Sequence, residues 1–418
     1  MNLSAHILKI AKAARSASYK IALVSAKEKN QALLRMAHAL EAQQAYLIKE
    51  NAKDLGEASK VHYSKALIDR LTLNPKRIKD MANGLRETAK LKEPIGELLE
   101  TIRRPNGLLI KKIRVPLGVV GIIFESRPNV TADCAALCLK SGNAAILKGG
   151  REAIHSNKAI FKVLKSQLKG SKIPADALQL IEVTDREAVR ELLKLDELID
   201  VIVPRGGEEL IRFVADNSRI PVIKHFKGIC HVYVHAQADL KMAQKIVMNA
   251  KTQKPGVCNA METLLVDRAI ATQFLPGMMA DLQQAGCEIR GDGAARALGQ
   301  NIKKAKPQDW RTEYLDLILS VRVVENSLEA IEHINTFGSH HSDTIVTKNK
   351  KQAQAFLDAV DSACVYVNAS TRFTDGFEFG FGAEVGISTD KLHVRGPMAL
   401  EGLTSYKYEI YGNGQTRS

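Results

Sequence analysis

Residues 119–148 read VVGIIFESRPNVTADCAALCLKSGNAAILK, and this stretch predicts the fold class. Val119–Phe124 and Ala144–Lys148 are apolar runs of the length of buried strands. Thr131–Lys140, between them, has the composition of a helix, and Gly142 provides a helix stop. A strand, a helix and a second strand in this order form a β-α-β unit, whose strands are parallel and buried on both faces.

The same alternation continues after residue 150 and predicts a doubly wound parallel sheet. The predicted helices are 152–168, 185–194 and 207–217, and the predicted strands are 178–183, 199–204, 222–227 and 231–235. A second alternating region begins near residue 240. Its strands are predicted at 262–266, 317–324, 343–347 and 364–367, with helices at 240–250, 327–336 and 351–360. The chain is therefore expected to contain two α/β domains.

The segment before residue 119 has a different pattern. Residues 1–100 show mostly helical periodicity. Two extended segments then flank Pro105-Asn106-Gly107, and an Asn-Gly pair between extended segments is a strong hairpin signal. A small β element is therefore expected near residues 99–115.

The composition excludes several classes of protein. The chain has 418 residues, of which 45% are hydrophobic and 25% are charged, as in folded globular proteins. No apolar run approaches the roughly 18–20 residues that span a bilayer, so a membrane protein is not expected. The 6 cysteines form no C-x-x-C pair, which favours free thiols in a reducing cytoplasm.

The segment before Glu28 contains no acidic residue, which is compatible with a transit peptide. A folded first helix is favoured instead, because helical periodicity continues past this segment.

The net charge of +14 comes from 60 basic and 46 acidic residues. A surplus of this sign favours nucleic acid, an anionic membrane surface or anionic small molecules as ligands. The basic residues are spread along the chain and only 5% of the residues are aromatic, which argues against a nucleic-acid-binding protein. A phosphorylated substrate or cofactor explains the charge equally well.

Two glycine pairs follow predicted strands and precede predicted helices. They are Lys148-Gly149-Gly150 and Arg205-Gly206-Gly207. Such a turn lets backbone N–H groups and the helix dipole meet a phosphate, and the basic side chain adds charge. A tight strand-to-helix connection without a ligand is the alternative. The dinucleotide motif G-x-G-x-x-G does not occur in the sequence.

Cys258 is the candidate nucleophile among the cysteines. It follows the turn 254–257 and precedes a predicted strand, a loop position typical of reactive residues. His340 and His341 are candidate ligands or bases. A polar turn is favoured for them, because no cysteine or carboxylate spacing completes a metal site. No bound metal is therefore predicted.

A polar stretch follows the predicted strand 364–367. It contains Ser370 and Arg372. Polar loops at strand ends often contact substrate, and a surface turn is the equally weighted alternative.

Several motifs occur in order along the chain: VPLGVVG (115–121), ESRPNVT (125–131), KSGN (140–143), KPGVCN (254–259), VNASTRFTDG (367–376) and HVRGPM (393–398). Together they resemble the gamma-glutamyl phosphate reductase family, which belongs to the aldehyde dehydrogenase superfamily. The likeness extends from Ser18–Lys20 to Thr404–Lys407, so it covers essentially the whole chain. Ordered motifs at this density are highly specific, although each alone is weak.

The resemblance implies an aldehyde dehydrogenase-like α/β fold, with a doubly wound cofactor domain, an α/β catalytic domain and a small β element for oligomerisation. The implied ranges are 1–98 and 116–236 for the NADP-binding domain, 237–370 for the catalytic domain, and the hairpin 99–115 with 400–418 for the oligomerisation element. Members of the superfamily bind a nicotinamide cofactor without the glycine motif, which accounts for its absence.

The resemblance also implies roles for individual residues. Cys258 resembles the nucleophile, and Asn129 resembles the side-chain amide of the oxyanion hole. The implied cofactor contacts are Lys148 at the adenosine ribose or its phosphate, Arg205, Gly206 and Gly207 at the pyrophosphate turn, and Glu313 at the nicotinamide ribose. Ser370 and Arg372 are the candidates for binding the substrate.

One position departs from the hydrolytic aldehyde dehydrogenases, which carry a glutamate as general base. Counted back from Gly228, that position is His225 in this chain. Hydrolysis of a thioester requires an activated water, whereas reduction of an acyl phosphate does not. The departure therefore favours a reductase over an aldehyde oxidiser.

The implied reaction is the NADPH-dependent reduction of L-glutamyl 5-phosphate to L-glutamate 5-semialdehyde and phosphate, through a thioester on Cys258. This is the second step of proline biosynthesis, so a separate glutamate 5-kinase is expected to supply the substrate. A cytoplasmic homo-oligomer is expected, with no nucleic acid or membrane as partner. The alternatives are oxidation of a small aldehyde and a basic nucleic-acid binder without enzymatic activity.

Overall fold

The computed structural model describes residues 2–417, so residues 1 and 418 of the predicted ranges lie outside the described residues. Internal contacts divide the chain into two units. The first unit contains the chain up to Lys224, Gly380–Ile387 and the chain from Pro397 onward. The second unit contains His225–Phe379 and Ser388–Gly396.

The first unit begins with helices, as the periodicity predicts. They are α1 (Leu3–Ile21), α2 (Ala26–Ala42), α3 (Gln44–Lys60), α4 (Lys65–Leu71) and α5 (Pro75–Lys90). Ser25 starts α2 in a capping box with Glu28, and Asn74 caps α5, whose first residue is Pro75. The apolar faces of α2 and α5 pack against each other.

A small antiparallel sheet also belongs to the first unit. Its strands are β1 (Leu98–Arg103), β2 (Leu109–Pro116) and β16 (Thr404–Tyr411), with β2 in the centre. Gly107, in the turn between β1 and β2, has φ of 88°, a backbone conformation that glycine adopts without strain. The predicted hairpin is present and pairs with the C-terminal strand. Its role in oligomerisation stays a prediction.

The quoted stretch forms the centre of a parallel sheet. The elements that follow β2 are β3 (Val119–Phe124), α6 (Val130–Lys140), β4 (Ala144–Gly149), α7 (Ile154–Ser166), β5 (Leu178–Leu180), α8 (Glu187–Leu192), β6 (Val201–Arg205) and α9 (Glu208–Asn217). The strand order is β5-β4-β3-β6, and every residue of β3 and β4 is buried. Phe124 is in register with both Gly149 and Arg205, so the two glycine turns follow strands on either side of β3.

The second unit is built around a seven-stranded parallel sheet in the order β10-β9-β11-β8-β7-β12-β13. Its elements are β7 (Cys230–Val234), α10 (Leu240–Thr252), β8 (Met261–Asp267), α11 (Arg268–Gln284), β9 (Glu288–Gly291), α12 (Gly293–Ala297), β10 (Lys303–Lys304), β11 (Ile318–Val324), α13 (Ser327–Phe337), β12 (Ser342–Val346), α14 (Lys350–Ala359) and β13 (Cys364–Val367). Two short strands, β14 (Gly386–Ser388) and β15 (Gly396–Met398), form a separate ribbon. The α/β class with parallel sheets is confirmed.

The predicted domain boundary after residue 236 is wrong by one strand. The predicted strand 231–235 is β7, which pairs with β8 and β12 and so belongs to the second unit. The reason is that a strand buried on both faces is apolar throughout, and its sequence does not indicate which sheet it joins. The predicted strand 222–227 is reduced to one bridge between Val222 and Ile202.

The predicted end of the catalytic domain at residue 370 is also wrong. Residues 371–379 and 388–396 belong to the second unit, where Arg395 donates to Asp361 at 2.8 Å. Gly380–Ile387 belongs to the first unit. Irregular segments of this kind have no periodicity, so their attachment follows from individual side-chain contacts.

No helix within residues 2–417 is long and apolar enough to cross a bilayer.

Candidate active site

The loop that carries Cys258 is closed by a buried ion pair. Lys251 in the last turn of α10 and Glu262 in β8 lie 2.7 Å apart, from Nζ to Oε2, and neither side chain is more than 1% exposed. The other carboxylate oxygen of Glu262 accepts a hydrogen bond from the backbone N–H of Leu315 at 3.1 Å. Burial raises the pKa of Glu262 to about 7, even though Lys251 lowers it. The pair ties the two ends of the Cys258 loop together.

Replacement of Lys251 by methionine is expected to lower the free energy of unfolding by about 3–5 kcal/mol, because the Glu262 carboxylate is left buried without a cation. Urea unfolding of the purified chain measures the loss. The double variant Lys251→Met/Glu262→Gln removes both charges and keeps an acceptor for Leu315, so it is expected to regain most of the stability. A single variant as stable as the parent chain would contradict the assignment.

Cys258 is grouped with two histidine rings. His225 and His341 each place a ring nitrogen within 4.8 Å of the Cys258 sulfur and of each other. The rings meet edge to face, with centroids 5.4 Å apart and planes inclined at 69°. His341 is buried, whereas His225 and Cys258 are half-buried. The sulfur therefore combines two imidazole neighbours with partial access to solvent.

The two rings change the ionisation of the Cys258 thiol. Burial alone would raise its pKa, because the thiolate loses hydration. The charge of His341 and hydrogen bonding by His225 favour the thiolate more strongly, and together they hold the pKa of Cys258 well below its usual range. Since the thiolate is the nucleophilic form, this site can supply a nucleophile at neutral pH.

In four other cysteines the pKa of the thiol is raised, whereas that of Cys258 is lowered. Burial raises the pKa of the thiol to about 12 in Cys134 and to about 11 in Cys287. It also raises the pKa well above the usual range in Cys138 and Cys230. These thiols stay protonated at neutral pH. The position of Cys258 in a loop, which singled it out in the sequence, is therefore matched by distinct chemistry.

Alkylation by iodoacetamide is expected to show this ionisation directly. A thiol with an ordinary pKa near 8.5 reacts about tenfold more slowly for each pH unit below that value. Cys258, with its lowered pKa, is expected to react at a nearly constant rate between pH 7 and 9 and to slow only at lower pH. The rate is read by mass spectrometry of the Cys258 peptide.

The variant His341→Asn tests the cause of this profile. Without the His341 charge, the pKa of Cys258 is expected to rise and the alkylation rate to become steeply pH-dependent below pH 8. His340→Asn is the matched control, because His340 contacts the backbone carbonyl of Asp361 instead. An unchanged profile in His341→Asn would disprove the role of this ring.

The backbone packs closely behind Cys258. A Cβ atom on Gly228 would overlap the carbonyl group of Cys258, so only glycine fits at this position. The N–H of Gly228 donates to Glu313 Oε1 at 2.9 Å, and burial raises the pKa of Glu313. Glu313 therefore contacts the residue that is packed against Cys258. Its contact with a nicotinamide ribose stays a prediction.

Ser370 and Arg372 lie in a turn of the same unit. Ser370 Oγ accepts from the N–H of Arg372 at 3.3 Å and begins a short 3-10 helix. The Arg372 guanidinium contacts the side-chain oxygen of Asn259 and donates to Gln253 Oε1 at 2.9 Å. The structure thus places Arg372 on the residue that follows Cys258, with its side chain held by the chain itself. Contact with substrate stays a prediction for both residues.

Asn129 is exposed at the start of α6 in the first unit. Its side-chain amide donates to Asp133 Oδ2 at 2.9 Å. Burial raises the pKa of the Asp133 carboxyl to about 6, although the hydrogen bond from Asn129 lowers it. Asn129 and Cys258 belong to different units, so the predicted oxyanion contact stays a prediction.

The pyrophosphate turn predicted after β6 already holds an anionic group. The N–H of Gly207 donates to Glu125 Oε2 at 3.0 Å, and a Cβ on Gly206 would overlap the same carboxylate. Burial raises the pKa of Glu125, although the hydrogen bond from Gly207 lowers it. The turn therefore has a backbone N–H that already binds a carboxylate and a glycine that lets an anion come close, as an anion site requires.

The two basic residues at these strand ends are engaged within the first unit. Lys148 is buried at the end of β4, its Nζ donates to the carbonyl of Gly149 at 2.9 Å, and burial lowers its pKa. Arg205, at the end of β6, lies 3.7 Å from Glu384. Lys148, Arg205, Gly206 and Gly207 thus occur at strands on either side of β3, as predicted. Their contacts with a cofactor stay predictions.

Sequence reasoning missed His341 as a neighbour of Cys258. It interpreted the His340-His341 pair as a polar turn, because nothing nearby in the sequence completes a ligand set. That premise fails, since the three grouped residues come from positions 225, 258 and 341 and meet only in the folded unit. The one sequence signal for His225 was its place opposite the missing glutamate.

Comparisons with known proteins show the family to which the chain belongs. Residues 3–290 match the model of the aldehyde dehydrogenase family. The chain is 54% identical over 417 residues to gamma-glutamyl phosphate reductase of Moorella thermoacetica, with 100% of both chains covered. It is 55% identical over 411 residues to the same enzyme of Carboxydothermus hydrogenoformans, covering 98% of this chain and 99% of that one. The crystal structure of gamma-glutamyl phosphate reductase from Thermotoga maritima is similar with a TM-score of 0.96 and 44% identity, covering 99% of this chain and 100% of that one.

Proposed function

Because this chain belongs to the aldehyde dehydrogenase family, and within it to the gamma-glutamyl phosphate reductases, we propose that it reduces L-glutamyl 5-phosphate to L-glutamate 5-semialdehyde and phosphate. The reductant is NADPH, and the acyl group passes through a thioester on Cys258. The reaction is the second step of proline biosynthesis. A separate glutamate 5-kinase supplies the substrate, and the enzyme works as a cytoplasmic homo-oligomer.

The observation that carries this proposal is the pairing of Cys258 with His225 and His341. Aldehyde oxidisers that hydrolyse their thioester need a general base to activate water. At the corresponding position this chain has His225, whose ring lies beside the sulfur of Cys258 and favours its thiolate form. At this position the chain has an imidazole hydrogen-bonded to Cys258 and no carboxylate base. The arrangement therefore supports reduction rather than hydrolysis.

The chemistry at Cys258 begins with the thiolate. Its electron pair attacks the acyl carbon of the substrate, the bond from that carbon to the phosphate oxygen breaks, and phosphate leaves with the bonding pair. The net charge of +14 favours the approach of a phosphorylated, anionic substrate. Asn129 is proposed to donate to the oxyanion, a contact worth about 2.7–4 kcal/mol in the transition state. The Cys258 sulfur leaves again as thiolate when the aldehyde is released.

The residues at the strand ends fit a dinucleotide. The Gly207 N–H accommodates a carboxylate from Glu125 in this structure and would hold a pyrophosphate oxygen in its place. Lys148 and Arg205 supply positive charge, and Glu313 supplies a carboxylate acceptor for ribose hydroxyls. When bound, NADPH supplies the hydride that reduces the thioester. Ser370 and Arg372 are proposed to bind the amino-acid end of the substrate.

The reverse reaction tests the proposal without the labile acyl phosphate. The purified chain is mixed with L-glutamate 5-semialdehyde and NADP⁺, with and without inorganic phosphate, and the absorbance of NADPH is followed. NADPH is expected to form only when phosphate is present, because the thioester needs phosphate as its acceptor. A parallel assay with NAD⁺ measures the cofactor preference.

Each other outcome would change the assignment. NADPH formation without phosphate would make the protein an aldehyde oxidiser, the second candidate function. No reaction with either nucleotide, while the nucleotide still binds, would leave the family in place and remove the proposed substrate. Salt-sensitive binding of DNA or RNA together with no turnover would favour the nucleic-acid binder.

A further inference from the structure

We propose that the cluster of Cys258, His225 and His341 is a binding site for a thiophilic divalent cation, Zn²⁺, and that the bound ion reversibly blocks the Cys258 sulfur. One sulfur and two imidazole nitrogens form a ligand set that zinc prefers in proteins. All three atoms lie within 4.8 Å of one another. This ligand set is the same whichever substrate the protein uses.

The distances match a zinc site after a small movement. Bond lengths of about 2.0–2.1 Å to nitrogen and about 2.3 Å to sulfur place tetrahedral ligands roughly 3.5 Å apart. His225 and Cys258 are only half-buried, so their side chains have room to turn by the remaining distance. His341 is buried and provides the fixed ligand.

His341 is oriented as metal-ligating histidines are. Its Nδ1 lies 2.8 Å from Ser342 Oγ, which in turn lies 2.6 Å from Thr374 Oγ1. A hydrogen bond from the other ring nitrogen fixes the tautomer and direction of a ligating imidazole. Nε2 of His341 is buried and has no hydrogen-bond partner among the described residues. This atom is therefore left to bind an ion.

The charges around the cluster also favour a cation. Zinc binds a cysteine as its thiolate, so the Cys258 sulfur supplies a negative ligand when its proton is lost. The Glu313 carboxyl group accepts from the N–H of Gly228, whose backbone is packed against Cys258, and it adds a second acidic group near the cluster.

Three protein ligands leave the fourth position of the ion open to water. Structural zinc sites use four protein ligands, so this site is expected to release its ion to a chelator. While the ion is bound, the sulfur electron pair forms the bond to zinc and is not available for attack on carbon. Zinc is therefore expected to stop alkylation of Cys258 and turnover together, and EDTA is expected to restore both.

Metal binding by the untagged full-length chain tests the site without an activity assay. Zn²⁺ affinity is measured by competition with a chromophoric chelator, and Co²⁺ is used as a spectroscopic probe. One Zn²⁺ per chain is expected, and Co²⁺ is expected to give the charge-transfer band of a thiolate ligand. Cys258→Ala is expected to abolish that band, and His341→Asn and His225→Asn are each expected to weaken Zn²⁺ binding at least about 100-fold.

His340→Asn is the matched control, because it replaces the adjacent histidine and leaves the three ligands in place. It is expected to bind Zn²⁺ like the parent chain. Circular dichroism checks that each variant is folded, and His225→Asn replaces a half-buried ring that is less important for folding than His341. Failure of the parent chain to bind Zn²⁺, or equal affinity in Cys258→Ala and the parent chain, would overturn the proposal. Zn²⁺ binding without turnover of the semialdehyde would leave the metal site standing and remove the proposed function.

Discussion

Replacement of Cys258 by alanine is expected to lower the rate of NADPH formation from semialdehyde, NADP⁺ and phosphate by roughly 10⁴- to 10⁶-fold. The sulfur both attacks the acyl carbon and leaves it again, so no other group in the chain replaces it. Alanine fills a half-buried position with a smaller apolar side chain and leaves the surrounding backbone in place. NADPH binding, measured by fluorescence titration, is therefore expected to stay within about twofold of the parent value.

Cys287→Ala is the matched control for this experiment. Cys287 is a buried thiol in the same unit, and burial raises its pKa to about 11. Its loss removes core packing and is expected to leave turnover almost unchanged. Substantial turnover in Cys258→Ala would exclude Cys258 as the nucleophile. Loss of turnover in both variants would instead indicate a general effect of removing a thiol.

Replacement of Gly228 by alanine is expected to lower kcat at least about 100-fold, although residue 228 carries no functional side chain. The added methyl group would overlap the backbone of Cys258, so either the Cys258 loop or the segment that contains Gly228 must shift. A displacement of about 1 Å at a reacting atom costs about this much in rate. The N–H contact between Gly228 and Glu313 is disturbed by the same shift. Steady-state kinetics of the reverse reaction measure the loss.

Gly277→Ala provides the comparison. Gly277 lies within α11, and nothing lies within 4 Å of the Cβ that alanine would add. This change is expected to leave the kinetics unchanged and to stabilise the helix by about 0.5–1 kcal/mol. Similar kinetics in Gly228→Ala and the parent chain would show that the backbone packed against Cys258 can shift without loss of activity.

The fold was predictable wherever the pattern is regular. Val119–Phe124 and Ala144–Gly149 are buried parallel strands, as their apolar runs indicate. The hairpin around Asn106-Gly107 has its own local signal. The attachment of β7 to the second sheet was not predictable, because both sheets accept the same kind of apolar strand. The segment after residue 370 was not predictable either, because isolated contacts such as that between Arg395 and Asp361 attach it.

The site was predictable only in part, for a similar reason. Cys258 stands out by its loop position and its motif, and Lys148 and Arg205 by the glycines that follow them. His341 has no such mark, since a histidine before a strand is usually a polar turn residue. His341 affects Cys258 because the two residues, 83 positions apart in the sequence (258 and 341), lie close together in the folded unit. Spacing along the chain carries no information about such a meeting.

The pairing of β16 with β2 has a consequence for how the protein is made. β2, at residues 109–116, is synthesised long before its partner at residues 404–411. The second unit, which ends at Gly396, is completely synthesised before that. The nascent chain therefore carries an open strand edge while residues 117–403 are synthesised, and such an edge invites pairing with other chains. The first unit, whose synthesis begins first, is therefore completed last. Premature termination after residue 396 would leave the second unit complete and the first unit with an exposed strand edge.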